Sequence, residues 1–334
     1  MSNELTIFKQ NRIKALENNY NNALGKLNLD LKNGTKKIQN TLLSSQQKQS
    51  QINNLVVNYN KTVNALKQNV TMNVLFFQNF NPNPIIVSGR KNALLVGINY
   101  IGTSNELRGC INDVHNVKDR LVGLGFNNIG IMTDVTGQKP TKANILNEFK
   151  TLLLNSQPGD LLFFQYSGHG SYKLDKNNDE TTGYDQVIVP LDSANMITDD
   201  ELKSIIQTNL KEKVTLFAMF DSCFSGTVLD LRYQYMDSLN YDKYTENAKQ
   251  TDTLGDVFMI SGCNDYQTSA DAYIDKSASG AMTWSLLEAL KQKPKCTWRE
   301  LVKNMRNLLR QSHFDQIPQF SSGTIENIDL PVFI

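Results

Sequence analysis

The chain has 334 residues, enough for two domains of ordinary size. Hydrophobic residues make up 40% of it and charged residues 20%, with a formal net charge of +1, which suits a soluble globular protein and excludes a nucleic-acid binder by overall charge. No run of about 18 apolar residues is present, so no membrane span is expected.

The opening residues, MSNELTIFKQNR, lack an apolar secretory core. Residues 1–80 carry ten Lys or Arg against three Asp or Glu, and 25 Asn or Gln. This composition shift marks a domain boundary. Ile13, Leu16, Tyr20, Leu24, Leu27 and Leu31 recur at helical spacing, as do Ile52, Val56, Tyr59, Val63, Leu66 and Val70. Between the stripes lies Asn33-Gly34-Thr35, where Gly34 is expected to end one helix and Thr35 to cap the next. The expectation is an α-helical hairpin over residues 1–74, an Asn/Gln-rich, basic pro-segment. Its scattered Lys residues read as a solvated face rather than a nucleic-acid or membrane contact. Residues 75–91 read as a linker, because Pro82 and Pro84 forbid a helix there. Leu75, Phe76, Phe77 and Phe80 need burial, which suggests that this stretch crosses a cleft of the domain that follows in the resting molecule.

From residue 92 the pattern alternates. Continuous apolar runs at 93–98, 161–166, 214–220 and 257–261, with a shorter one at 129–132, read as strands. Helices are expected over 110–124, from Thr141 to about Leu154, near 280–291 and over 297–311. The fold class is α/β: a mostly parallel sheet with helices on both faces over 92–334. Active groups in such sheets lie beyond the carboxyl ends of the strands.

Two strand ends carry chemistry. One is Ser167-Gly168-His169-Gly170, the other Asp221-Ser222-Cys223-Phe224-Ser225-Gly226. Cysteine attacks as the thiolate, and a neighbouring imidazole takes its proton. Singly, a strand-end His is more often structural and a lone Cys more often a small buried hydrophobe. Together, each flanked by glycine and 54 residues apart on one sheet edge, they point to a cysteine-type nucleophile and its base. Cys110, Cys223, Cys263 and Cys296 form no CxxC pair, which argues against a zinc cluster and a disulfide scaffold and for a reducing, cytoplasmic compartment.

At these motifs the chain resembles the metacaspases, caspase-fold cysteine peptidases. YSGHG at 166–170 and DSCFSG at 221–226 carry the resemblance, with ALLVGINY at 93–100, LRGCINDV at 107–114, SGCNDYQTSADA at 261–272, GAMTWSLLEAL at 280–290 and PQFSSG at 318–323. It covers about 92–334 and not the first 80 residues. One departure is Phe224, where the family usually has His. The resemblance implies a catalytic pair of His169 and Cys223, with Gly170 and Cys223 main-chain N–H groups as the oxyanion hole. It also implies an acidic specificity pocket of Cys110, Asp113, Ser167 and Asp221, and protein or peptide substrates cleaved after Arg or Lys. Two converging carboxylates suit a guanidinium. The competing reading makes Asp113 a helix cap and Asp221 a turn anchor.

Residues 175–186 fail as an EF-hand, with Glu180 where Gly is required and Gln186 where Glu is required. The resemblance nevertheless implies a calcium site of Asp185, Asp199, Asp200 and Asp230. The plain alternative is that Asp199 and Asp200 favour the first turn of a helix. Residues 231–256 read as an exposed loop, so calcium-triggered autocleavage is expected after Arg232, Lys243 or Lys249, or near Arg90 and Lys91. A monomer is expected. The rival reading is an inactive caspase-fold scaffold whose helical arm binds proteins. A legumain- or gingipain-like peptidase would call for a secretion signal, and a nucleotide-binding sheet for a GxGxxG or P-loop, and neither is visible.

Overall fold

The computed structural model describes residues 3–79, 87–175, 183–223, 225–235, 245–247, 249–262, 271–274, 277–324, 326, 328 and 331–334. The chain divides into two compact units, residues 1–83 and 84–334.

The first unit is a pair of helices, α1 (Asn3–Gln39) and α2 (Ser45–Asn79). The turn falls at 40–44 and not at Asn33-Gly34-Thr35, which corrects the expectation. Gly34 stays helical because its missing side chain admits Leu55: a Cβ there would lie 2.9 Å from Leu55 Cδ2. Thr35 bonds back to the Leu31 carbonyl at 2.8 Å instead of capping. The cap is Ser44. Its Oγ accepts from Gln47 N–H at 3.3 Å, and its own N–H donates to Gln47 Oε1 at 3.1 Å, a reciprocal capping box. The helix also runs through residues 75–79, which the sequence placed in the linker. The side chains of Leu75, Phe76 and Phe77, and all of Phe80, lie outside the described residues. No described side chain of the hairpin is fully buried, as its polar seam dictates.

The second unit begins with β1 (Lys91–Gly97), α3 (Cys110–Gly123), β2 (Asn128–Thr133), α4 (Lys142–Leu154) and β3 (Leu161–Ser167). A small hairpin follows, β4 (Gly170–Leu174), β5 (Tyr184–Ile188) and β6 (Ile197–Thr198), then α5 (Asp199–Asn209) and β7 (Thr215–Asp221). The chain closes with β8 (Tyr233–Tyr235), β9 (Thr245–Glu246), β10 (Asp256–Ser261), β11 (Asp271–Ile274), β12 (Ser277–Gly280), α6 (Ala281–Gln292), α7 (Trp298–Gln311) and β13 (Gln319–Ser322).

Eight strands form the main sheet in the order β2-β1-β3-β7-β10-β13-β8-β9. The first five run parallel, and β13, β8 and β9 are antiparallel. β3 and β7 are buried along their whole length, which is why they read as largely apolar runs. Thr141, Thr198 and Thr297 cap α4, α5 and α7. Trp298 stacks between Phe217, Phe258 and Phe320 at 5.1–5.6 Å and pins α7 to the sheet.

The stretch 231–256 is not one exposed loop. Leu231, Tyr233 and Tyr235 are buried, and β8 pairs with β13 inside the main sheet. Their alternation is the period-2 signal of a strand.

Register aligns the functional ends. Gly97 stands opposite Ser167, and Ser167 opposite Asp221. β2 lies on one side of β1 and β3 on the other, so the strand order reverses between β1 and β3. The carboxyl ends at such a reversal leave a crevice.

Candidate active site

His169 leaves β3 through Ser167-Gly168. Gly168 N–H donates to the Asp221 carbonyl at 3.2 Å, which holds the β3 and β7 ends together. A Cβ on Gly168 would lie 2.7 Å from the Tyr166 hydroxyl and 2.9 Å from that of Tyr100, so only glycine fits between them. Tyr100 sits at φ +53, a left-handed turn that aims its ring at the site. Its hydroxyl accepts from His169 N–H at 2.9 Å, and its ring packs on the imidazole with centroids 4.6 Å apart. The Tyr166 hydroxyl donates to the His169 carbonyl at 2.8 Å. Burial raises both phenols above the ordinary tyrosine range, so they act as neutral hydrogen-bonding groups.

The imidazole is held by a third group. His169 Nε2 lies 2.7 Å from the main-chain carbonyl of Asn105. A carbonyl only accepts, so the neutral ring carries its proton on Nε2 and keeps Nδ1 as its basic nitrogen. A main-chain carbonyl leaves no signature in residue identity, so this third group is not legible in the sequence.

Cys223 stands two residues beyond Asp221, as His169 stands two beyond its register partner Ser167. It is half-buried and forms no disulfide. A Cβ on Gly170 would strike the Cys223 carbonyl oxygen, so the main chains of the two motifs are in direct contact. Gly170→Ala is therefore expected to push the motifs apart and lower kcat/KM at least about tenfold, since displacements near 1 Å at reacting groups cost about 100-fold. Steady-state kinetics with unchanged circular dichroism checks this. Phe224 lies outside the described residues.

The four residues expected to form a specificity pocket gather near the same strand ends. Cys110, Asp113, Ser167 and Asp221 are all buried. Asp113 does not cap α3, whose N-cap is Gly109 with no side-chain bond. It accepts instead from Ser279 Oγ at 2.6 Å and from Gly280 N–H at 2.9 Å. Asp221 accepts from Thr283 N–H at 2.8 Å and Thr283 Oγ1 at 2.9 Å, on the first turn of α6. A Cβ on Gly280 would meet Asp221 Oδ2 and lie 2.7 Å from Asp113 Oδ2, so both carboxylates close on the same glycine. Burial and then the charge of Asp221 push the Asp113 carboxyl up to about 8. Ser279, Gly280 and Thr283 reach the pocket from far along the chain, and no local pattern announces them.

A family model described as metacaspase, peptidase C14 domain, matches residues 91–232. Metacaspase-1 of Meyerozyma guilliermondii is 36% identical, with 73% of this chain and 72% of that protein aligned. Metacaspase-1 of Candida albicans is 37% identical over 74% of this chain and 68% of that protein. Metacaspase-1 of Mycosarcoma maydis is 37% identical over 73% of each. This chain belongs to the metacaspase family. A crystal structure of a Geobacter sulfurreducens protein superposes with a TM-score of 0.55 at 25% identity, covering 73% of this metacaspase and 97% of that chain. The caspase-like α/β fold expected from the sequence is thus present, and the family is one of cysteine peptidases.

The metacaspase carries a second acidic cluster on α5 and β5. Ligand oxygens of Asp185, Asp199 and Asp200 lie within 4.8 Å of one another. Gln186 N–H donates to Asp199 Oδ2 at 2.6 Å, drawing β5 to the start of α5. Burial, then the charge of Asp230, and further the charge of Asp185 push the Asp199 carboxyl up to about 9. Asp230, at φ +47, also faces Lys203 Nζ at 3.7 Å. Buried carboxylates that repel one another, drawn from three segments, fit a hard divalent cation such as calcium. Asp199 and Asp200 also begin α5, so the helix-start reading holds beside the cluster.

The five cleavage candidates differ in placement. Arg90 pairs with Asp160 at 2.8 Å and donates to the Asn155 carbonyl. Lys91 opens β1 and donates to the Leu124 carbonyl. Arg232 is paired with Glu246 at 2.7 Å and Asp252 at 3.0 Å. Lys249 is exposed in a turn, and Lys243 lies outside the described residues. No helix among the described residues is long and apolar enough to cross a membrane.

Proposed function

We propose that this metacaspase is a calcium-dependent endopeptidase that cleaves peptide bonds after Arg or Lys. The observation that carries the reading is the pair of buried carboxylates, Asp113 and Asp221, the second of them two residues before Cys223 and in register with Ser167, two residues before His169. A guanidinium or ammonium placed between them replaces repulsion by charge-assisted hydrogen bonds, whereas an aspartate side chain adds a third negative charge.

The chemistry follows from the held imidazole. Nδ1 of His169 takes the thiol proton, and the Cys223 thiolate attacks the scissile carbonyl. Main-chain N–H groups of Gly170 and Cys223 receive the charge that develops on the carbonyl oxygen. The carbon–nitrogen bond breaks, and the leaving amine takes its proton from His169. Water then attacks the thioester with His169 as base, which frees the acid and restores the thiol. Tyr100, Tyr166 and the Asn105 carbonyl keep the ring in place through both halves.

Asp185, Asp199, Asp200 and Asp230 are the residues that would hold calcium. Bound there, it supplies positive charge that offsets their repulsion and ties β5, α5 and the turn at Asp230 together. Activity is expected to vanish in chelator and return with calcium, and Asp199→Asn is expected to lose that response. At ten times its Kd, calcium is expected to add about 1.4 kcal/mol, roughly 3–6 °C in melting temperature. Calorimetry with and without calcium reads this apart from turnover. Full activity in chelator would sink the calcium reading.

Autoprocessing is expected in the same buffer. Cleavage is expected after one or more of Arg90, Lys91, Arg232, Lys243 and Lys249, of which Lys249 lies exposed in a turn. Mapping new termini by mass spectrometry in wild type and Cys223→Ala protein tests it. Equal fragments in both proteins, or termini after residues other than Lys or Arg, would rule it out.

A further inference from the structure

The leaving half of a substrate also needs a place, and its position follows from the peptidase reading above. The amine released on cleavage takes its proton from His169, so the segment after the cleaved bond lies on the His169 side of Cys223. The chain that continues from His169 is β4. β4 is an edge of the sheet β4-β5-β6, and among the described strands none pairs with its outer side.

Main-chain direction alternates along this strand. Val189 N–H donates to the His169 carbonyl at 3.0 Å, and Asp175 N–H donates to the Gly183 carbonyl at 3.1 Å. The odd-numbered residues from 169 to 175 therefore turn their main-chain groups toward β5. Those of Gly170, Tyr172 and Leu174 turn to the outer edge. Such a row is what an extended peptide pairs with when it adds as a strand.

The side chains supply a second layer. Tyr172 and Leu174 share one sheet face with Tyr184, which stands opposite Leu174 in register. They are 52%, 70% and 42% exposed. The two tyrosine rings meet edge to face, with centroids 5.2 Å apart. Lys173 and Asp185 stand on the opposite face, so the acidic cluster and this apolar row are separated by the sheet itself. At about 3.3 Å per residue, Tyr172 lies roughly 7 Å and Leu174 roughly 13 Å beyond Gly170. That is the reach of the second to fourth residues after a bond held at Cys223.

We propose that the outer edge and exposed face of β4 bind the leaving segment of the substrate, an extended peptide with aliphatic or aromatic residues at the second to fourth positions after the cleaved bond. Its main chain pairs with Tyr172 and Leu174, and its apolar side chains cover Tyr172, Leu174 and Tyr184.

The test compares internally quenched Arg peptides that differ only after the cleaved bond, leucine and phenylalanine in one and serine and glycine in the other. The wild type is expected to prefer the apolar peptide about tenfold in kcat/KM, mostly through KM. Tyr172→Ser/Leu174→Ser protein is expected to reduce that preference to twofold or less. An aminocoumarin amide of arginine, with no peptide after the bond, reads the rest of the site in both proteins. A second measurement does not need turnover: a fluorescently labelled leaving-segment peptide is titrated into Cys223→Ala protein and into the same protein with both serine substitutions. Binding lost in the triple variant supports the site. No preference in wild type, or a preference kept in the serine variant, overturns it. Equal binding of the peptide to both Cys223→Ala proteins overturns it as well. If the aminocoumarin amide is not cleaved while the peptide still binds at β4, the basic specificity fails and this site stands.

Discussion

Cys223→Ala protein is expected to lose turnover of an Arg peptide by a factor on the order of 10⁴ or more, because the covalent route disappears with its nucleophile. His169→Ala is expected to lose nearly as much, and the double variant no more than either single one, since the two residues act as a unit. The structure gives that unit its coherence. Gly170 and Cys223 are in main-chain contact, and Gly168 ties the β3 end to the Asp221 carbonyl. The Nε2 bond to Asn105 leaves Nδ1 as the only basic nitrogen of the neutral ring. Alkylation of Cys223 by iodoacetamide in wild type and His169→Ala protein separates thiolate formation from later steps. A Cys223→Ala protein that still cleaves, or singles whose effects multiply in the double variant, would place the chemistry elsewhere.

The second large effect lies in the acidic pocket. Asp113→Asn removes one of two charges facing a substrate guanidinium while keeping the size of the side chain. A hydrogen bond to a charged group is worth about 1.5–3 kcal/mol, so kcat/KM for Arg peptides is expected to fall about 10- to 100-fold. The pH dependence carries a sign. Burial and Asp221 raise the Asp113 carboxyl to about 8. Below that pH the carboxyl is mostly protonated, and a cation must displace the proton to bind. Affinity for a guanidinium is therefore expected to rise with pH up to about 8 and level off above it, by at most tenfold per unit. Titrating agmatine into Cys223→Ala protein by calorimetry measures this without the nucleophile's own titration. Asp113→Asn is expected to flatten the profile. A flat profile in the parent protein, or unchanged Arg-peptide turnover in Asp113→Asn, would remove Asp113 from the pocket.

Much of the molecule was open to reading from residue order alone. The strands at 161–166 and 214–220 are apolar on both faces because helices cover both sides of the sheet, and burial of that kind is written directly into composition. The glycines at 168 and 170 signal close approach, and the approaching atoms are the tyrosine hydroxyls and the Cys223 carbonyl. Local rules faltered where two local signals competed or where a partner lay far away. Asn33-Gly34-Thr35 looks like a helix break, yet the capping box at Ser44 and Gln47 places the turn six or more residues later. Residues 231–256 look like a loop because β8 joins the main sheet through β13, more than eighty residues on, and its near neighbour β9 is only two residues long.

What sequence by itself determined is the α/β class, the order of the five parallel strands with α3, α4, α6 and α7, and the presence of a His and a Cys beyond neighbouring strand ends, all set by periodicity, glycine and burial within short stretches. What only the tertiary structure decided is which distant groups meet there. The Asn105 carbonyl on His169, Ser279 and Gly280 on Asp113, Thr283 on Asp221 and the place of β4 at the edge of its sheet are products of chain crossing. Main-chain carbonyls and N–H groups are the same in every residue, so their use in a site is invisible until the fold brings them to it.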